Sequence, residues 1–144
     1  MTRINSAINP KTLTDQHLIA ELRELPRIFT AVEKRIKNNI LFNDIPKRFR
    51  LGTGHVKFFY NKTNFLLDRH KQLRNEYNIR FNKNWQYIPN FDYLQQPEYK
   101  PNEIDFILLK NRISSRIIES NQIPRYYSKS IEKNEAINLL NYIN

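Results

Sequence analysis

The run Asp15-Gln16-His17-Leu18-Ile19-Ala20-Glu21-Leu22-Arg23-Glu24-Leu25-Pro26-Arg27 decides the fold. Leu18, Leu22, Leu25, Phe29, Val32 and Ile36 follow one another in alternating steps of four and three. That spacing puts them on one apolar stripe and predicts a helix over 15–38. Thr14 or Asp15 can cap its start. Pro26 has no N–H for the helical ladder, so the helix should bend there. The alternative is two shorter helices meeting near Leu25. The uninterrupted stripe favours the bend.

Outward from this helix, residues 40–60 read as irregular, with a turn at Leu51-Gly52-Thr53-Gly54-His55. The lone Gly-x-Gly lacks the third glycine and preceding strand of a dinucleotide site. A second helix is expected over 62–79, with Leu66, Leu73 and Tyr77 inside and Arg69, Gln72 and Glu76 outside. A long connection over 80–101 follows, broken by Pro89, Pro97 and Pro101 and pinned by Trp85, Tyr87, Phe91 and Tyr93. A third helix over 102–120 is apolar on most sides through Ile104, Phe106, Ile107, Leu108, Leu109, Ile113, Ile117 and Ile118. It should be the most buried element, with a polar stripe of Asp105, Arg112, Arg116 and Glu119. A last helix is possible over 131–143. No repeat, low-complexity tract or linker interrupts the chain. The expectation is an all-α compact single domain, 1–144, of three main helices with long irregular connections.

Composition narrows the function. The 144 residues hold 24 Lys and Arg against 14 Asp and Glu, a net charge of +10. That balance suits an anionic partner, nucleic acid first. There is no cysteine, which excludes disulfides and thiolate metal sites. His17, His55 and His70 lack metal-ligand spacing, and no metal or organic cofactor is expected. No apolar run approaches the roughly 20 residues that span a bilayer. The first residues lack the apolar core of a signal peptide. A cytoplasmic location is expected, the host's cytoplasm if the source is viral, with no membrane partner.

On the first helix, His17, Ala20, Glu24, Arg27 and Ala31 share the face opposite the apolar stripe, flanked by Gln16 and Arg23. Alone, this face also reads as a solvated surface with an i,i+4 arginine pair. Thr2 bears on that choice. Threonine is small enough for Met1 to be removed, and the freed α-amine titrates near 7.7–8. Much of it is then neutral and nucleophilic at physiological pH, whereas a lysine near 10.4 needs a large shift. Many chains begin Met-Thr without such chemistry.

Taken together, these segments resemble the pyrimidine dimer DNA glycosylase family of the phage endonuclease V type. The resemblance rests on Thr2-Arg3-Ile4-Asn5, Asp15-Gln16-His17-Leu18, Glu21-Leu22-Arg23-Glu24-Leu25-Pro26-Arg27, Ala31-Val32 and Leu51-Gly52-Thr53-Gly54-His55-Val56-Lys57-Phe58-Phe59-Tyr60. A weaker likeness covers Arg112, Arg116 and Tyr126-Tyr127-Ser128-Lys129. It implies a compact helical domain that acts on double-stranded DNA containing damaged bases. By resemblance the Thr2 amine is the nucleophile, Glu24 the essential carboxylate, and Arg3, Gln16, His17, Arg23, Arg27, Arg112 and Arg116 contact DNA. It implies excision of ultraviolet-induced cyclobutane pyrimidine dimers through an imine, followed by strand cleavage by β-elimination, in a duplex that is kinked with a base flipped out.

The chain departs from the family pattern in places. The loop between Asn5 and Asp15 is one residue longer. Leu22 replaces a common tyrosine, His70 stands for a glutamine, and Ile123-Pro124 occupy Trp-Tyr positions. Residues 131–144 read as a C-terminal extension. Two rivals share the basic face: a relative tuned to ring-opened purines or abasic sites, and a non-enzymatic DNA-bending protein, which needs neither Thr2 nor Glu24. A monomer is expected.

Overall fold

A computed structural model describes residues 3–92 and 98–142, so Thr2, Tyr93 and Pro97 lie outside the described residues. Among the described residues the regular structure is helical apart from one two-stranded hairpin, with long irregular connections between the helices. A 3-10 turn, Pro10–Thr12, precedes α1, Asp15–Glu24, and α2, Pro26–Lys37. Then come the single turn α3, His55–Phe58, and the longer α4, Thr63–Phe81, and α5, Glu103–Glu119. Strands β1, Arg125–Tyr126, and β2, Lys129–Ser130, lead into α6, Lys133–Leu139.

The expected single bent helix is two helices that meet at Leu25. Pro26 opens α2 at a position whose missing N–H costs no ladder bond. Leu25 itself stays in right-handed helical geometry, φ −52° and ψ −43°, so the stripe carries across the junction. Leu18, Leu22, Leu25, Phe29 and Val32 are all buried, whereas Ile36 near the end of α2 is exposed. Thr14 is the cap of α1: its side chain accepts the His17 N–H. Asp15 serves a different purpose described below.

Two expectations about the other helices are corrected. Arg69 and Glu76 of α4 are buried, not outside. Each forms an ion pair inside the protein, which periodicity of hydrophobic residues cannot reveal. Gln72 is exposed as expected. Helix α5 is not the most buried element. Only Leu109, Ile113 and Ile117, at steps of four, join the core, together with Asp105. Ile104, Ile107, Leu108 and Ile118 face outward. Asp105 leaves the expected polar stripe because it closes a capping box with Asn102 and accepts a hydrogen bond from the Tyr99 hydroxyl.

The N-terminal segment has no regular structure, yet it is threaded into the core: Ile4, Ile8 and Leu13 are fully or almost fully buried. Phe49, Phe58, Phe59, Phe65 and Tyr99 form an aromatic cluster with edge-on contacts. In the long connection Trp85 packs edge-on against Tyr77 and Phe91 lies against Phe29, while Tyr87 is half exposed. Helix α6 falls within the expected 131–143, of which residue 143 is not described, and sends Ala136 and Leu140 into the same core.

The sequence predicts no strand, yet β1 and β2 pair as a hairpin. Tyr127 and Ser128 both have positive φ, 52° and 66°, the geometry of a type I′ turn. The strain is offset by Asp15, whose two carboxylate oxygens accept the N–H groups of Tyr127 and Ser128. Buried Arg80 binds Asp15, Glu76 and the carbonyls of Leu13 and Pro10, and lies beneath both the Tyr126 and Tyr127 rings.

His55 and His70 are buried, and burial is the main force that holds each pKa down, to about 4. The unfolded chain therefore takes up their protons first, below its pKa near 6.5. The stability they contribute is complete above pH 6.5 and is lost as pH falls from there toward 4. Chemical denaturation at stepped pH should show a loss of roughly a few kcal/mol across this window. Replacing His70 by Gln should flatten part of that slope.

Candidate active-site cleft

The glycines of the 51–55 turn set one histidine against the N-terminal segment. Gly52 and Gly54 have positive φ, 67° and 89°. A side chain on Gly54 would also meet Pro46 and Arg50 at 3.3 and 3.2 Å. This turn points His55 inward. Its Nδ1 lies 2.8 Å from the Arg50 carbonyl, and its Nε2 lies 2.9 Å from the Ile4 amide nitrogen. A carbonyl only accepts and an amide N–H only donates. The ring is therefore neutral, protonated on Nδ1, with Nε2 accepting from Ile4.

Further hydrogen bonds hold the same segment. Glu21 of α1 pairs with Arg69 of α4 through Nε to Oε2 at 2.8 Å and Nη2 to Oε1 at 3.0 Å. Arg69 also donates to the Ile8 carbonyl at 2.6 Å. Glu21 accepts the side-chain N–H of Asn5 at 3.0 Å, and Asn5 Oδ1 accepts from Arg112 Nη2 at 3.1 Å. An unbroken polar path thus runs from the core to α5. Glu21, Arg69, Asn5 and His55 are not among the site residues expected from the sequence, which places Arg69 on the outer face of its helix. The Gly-x-Gly-His turn was the one visible signal.

Beyond this anchored segment lies a cleft of about 530 Å³ between α1, α5 and residues 120–124. Of the expected site residues, Arg3, Gln16, His17, Glu24, Arg112 and Arg116 line it, along with Ala20 and Asn5. Arg23 and Arg27 are exposed and do not line it. The break at Leu25 places Arg27 on α2. Thr2 is not described, but Arg3, to which it is bonded, is on the cleft wall.

The cleft crowds cations. Burial holds the Arg112 pKa down to about 10, helped by Arg3 and Arg116, while Glu21 opposes the shift. Burial first and Arg116 second also lower Arg3, and the charge of Glu24 pulls it back up. Arg3 and Arg112 remain charged at neutral pH, so an entering phosphate would relieve the repulsion in the cleft. His17 is held below its usual pKa by burial and packs its Nδ1 2.9 Å from the Thr14 hydroxyl.

Three carboxylates line the cleft and they differ: Glu119, at the end of α5, is exposed. Glu21 is 2% exposed and fully committed to Arg69 and Asn5. Glu24 is half-buried, and no described residue makes an ion pair or hydrogen bond with it. Gln16 spends both ends of its amide on the backbone of the cleft rim, donating to Ile123 and accepting from Arg125. Tyr126 and Tyr127 are likewise engaged, with hydroxyls on the Lys11 carbonyl and the Glu76 carboxylate. Among the described residues no group of three or more His, Asp or Glu side chains is placed to hold a metal ion. No described helix is long and apolar enough to cross a membrane.

A helical domain with a cationic cleft beside an anchored N-terminal segment suits an anionic partner such as nucleic acid. The family described as pyrimidine dimer DNA glycosylase matches residues 1–88, and the chain belongs to that family. It is a DNA-repair glycosylase, and dimer-containing DNA is its substrate class. The match includes Arg3, Gln16, His17, Glu24 and His55 and ends before α5, so Arg112 and Arg116 lie beyond it.

Removing one partner of a buried ion pair leaves an uncompensated charge and costs about 3–5 kcal/mol. Glu21→Ala should lose stability on that scale in urea unfolding, because Arg69 and Asn5 lose their acceptor together. Asp44→Ala, which breaks an exposed pair with Arg35 and Lys57, should lose far less.

Proposed function

We propose that the protein excises cyclobutane pyrimidine dimers through an imine on the Thr2 α-amine, once Met1 is removed, and then cuts the strand. The amine nitrogen attacks C1′ of the damaged nucleotide and gives up a proton. The C1′–N bond to the base breaks, and the base leaves protonated. Opening of the sugar ring yields the C1′ imine. The imine acidifies C2′–H, and loss of that proton expels the 3′ phosphate by β-elimination. Glu24 assists ring opening and the proton transfers and steadies positive charge as it develops. Arg3, Arg112 and Arg116 bind the phosphates of a kinked duplex, with Arg23 and Arg27 further out. A base is turned out of the stack to admit these groups.

One observation carries this reading. Three carboxylates line the cleft: Glu21 is committed to Arg69 and Asn5, Glu119 is exposed at the end of α5, and Glu24, half-buried and in no ion pair among the described residues, is the one whose charge acts on Arg3, one bond from the Thr2 residue. A DNA-bending protein requires neither a free carboxylate there nor an anchored chain end.

The test uses two labelled duplexes, one with a cyclobutane thymine dimer and one with an abasic site. Both should be cut. Borohydride added during reaction should trap a covalent adduct that maps to Thr2, and Glu24→Gln should bind DNA normally while base release falls about 10²–10⁴-fold. Binding without scission would establish the architectural alternative. An adduct on a lysine would remove Thr2 from the mechanism.

A further inference from the structure

We propose that His55 is a positioning residue for the N-terminal amine, acting through its acceptance of the Ile4 amide hydrogen. The inference rests on the imine reading above. Ile4 is the first point at which a side chain grips the described backbone. Two residues span at most about 7 Å, so covalent geometry alone confines the Thr2 amine to that radius around the Ile4 nitrogen. The remaining freedom is set by how firmly Ile4 is held and in which direction its N–H points.

His55 answers both requirements. The carbonyl of Arg50 fixes one tautomer, leaving Nε2 as an acceptor aimed at Ile4. Phe49 and Phe59 meet the ring edge-on, each with centroids 5.5 Å away, so it cannot turn aside. Gly54 and Gly52 set the turn that delivers it. The Asn5 and Ile8 contacts hold the segment further along, but neither orients the peptide nearest the chain end. A displacement of about 1 Å at a reacting group can cost 10²-fold in rate.

Three substitutions separate positioning from simple stabilisation. Glutamine places an acceptor oxygen close to where Nε2 stands. Asparagine retains a donor for the Arg50 carbonyl but is too short to reach Ile4. Leucine removes both. Single-turnover rates on dimer DNA, corrected for the folded fraction, should fall by roughly 10²-fold in His55→Asn and His55→Leu. The dissociation constant for the same duplex should stay within a few-fold of wild type, and His55→Gln should recover most of the rate. Should His55→Leu fail to fold, the Gln and Asn variants carry the comparison alone. Wild-type rates per folded molecule in His55→Asn, or equal losses in Gln and Asn, would overturn the inference while leaving a Thr2 adduct in the wild type intact. Absence of that adduct in the wild type would overturn the imine reading and this inference with it.

Discussion

The Arg69–Glu21 pair is the constraint on which the rest depends. It is buried, bidentate, and joins α4 to α1 across 48 positions of sequence. Charges this deep are tolerated when their remaining hydrogen-bonding capacity is filled. Here Asn5 and the Ile8 carbonyl fill it, so the N-terminal segment completes the pair. The consequence is mutual. The helices cannot bury the pair without the segment, and the segment has no secondary structure of its own to hold it in place.

The second pairing, around Arg80, does the same for the other side of the cleft. Arg80, Asp15 and Glu76 fix the tip of the hairpin and the carbonyls of residues 10, 11 and 13. Gln16 then holds the rim at Ile123 and Arg125. Both walls of the site are therefore set by buried polar groups that radiate from α1 and α4. Three guanidinium groups are crowded together between those walls. That crowding is the electrostatic cost of a cationic cleft, and the buried networks hold its walls in place.

Much of this was legible in the sequence. The apolar stripe from Leu18 to Val32 fixed the helical class, and the face it left free held Glu24, His17 and Gln16, which do line the cleft. The order of residues over 1–60 carried the family resemblance. What escaped was polar and buried. Arg69, Glu76 and Asp105 look like surface residues in any pattern of hydrophobicity, because their burial depends on partners distant in sequence. The apolar abundance of α5 misled in the opposite direction, since only one stripe of it is covered. Pro26 marks a disturbance of the helix, but whether a proline bends or divides a helix depends on packing that one sequence does not display. Tyr127 and Ser128 gave no turn signal, since neither residue favours positive φ without the carboxylate of Asp15 behind it.

The proposed imine chemistry requires the fold to set the position of the Thr2 amine relative to Glu24. Inserting one glycine between Thr2 and Arg3 tests it most directly. The variant keeps a threonine amine and every contact from Arg3 onward, but moves that amine by up to about 3.5 Å. Unfolding midpoint and affinity for dimer-containing duplex should match the wild type, while the borohydride-trapped adduct and base release should fall by at least roughly 10²-fold. Wild-type adduct formation by the lengthened chain would contradict the account.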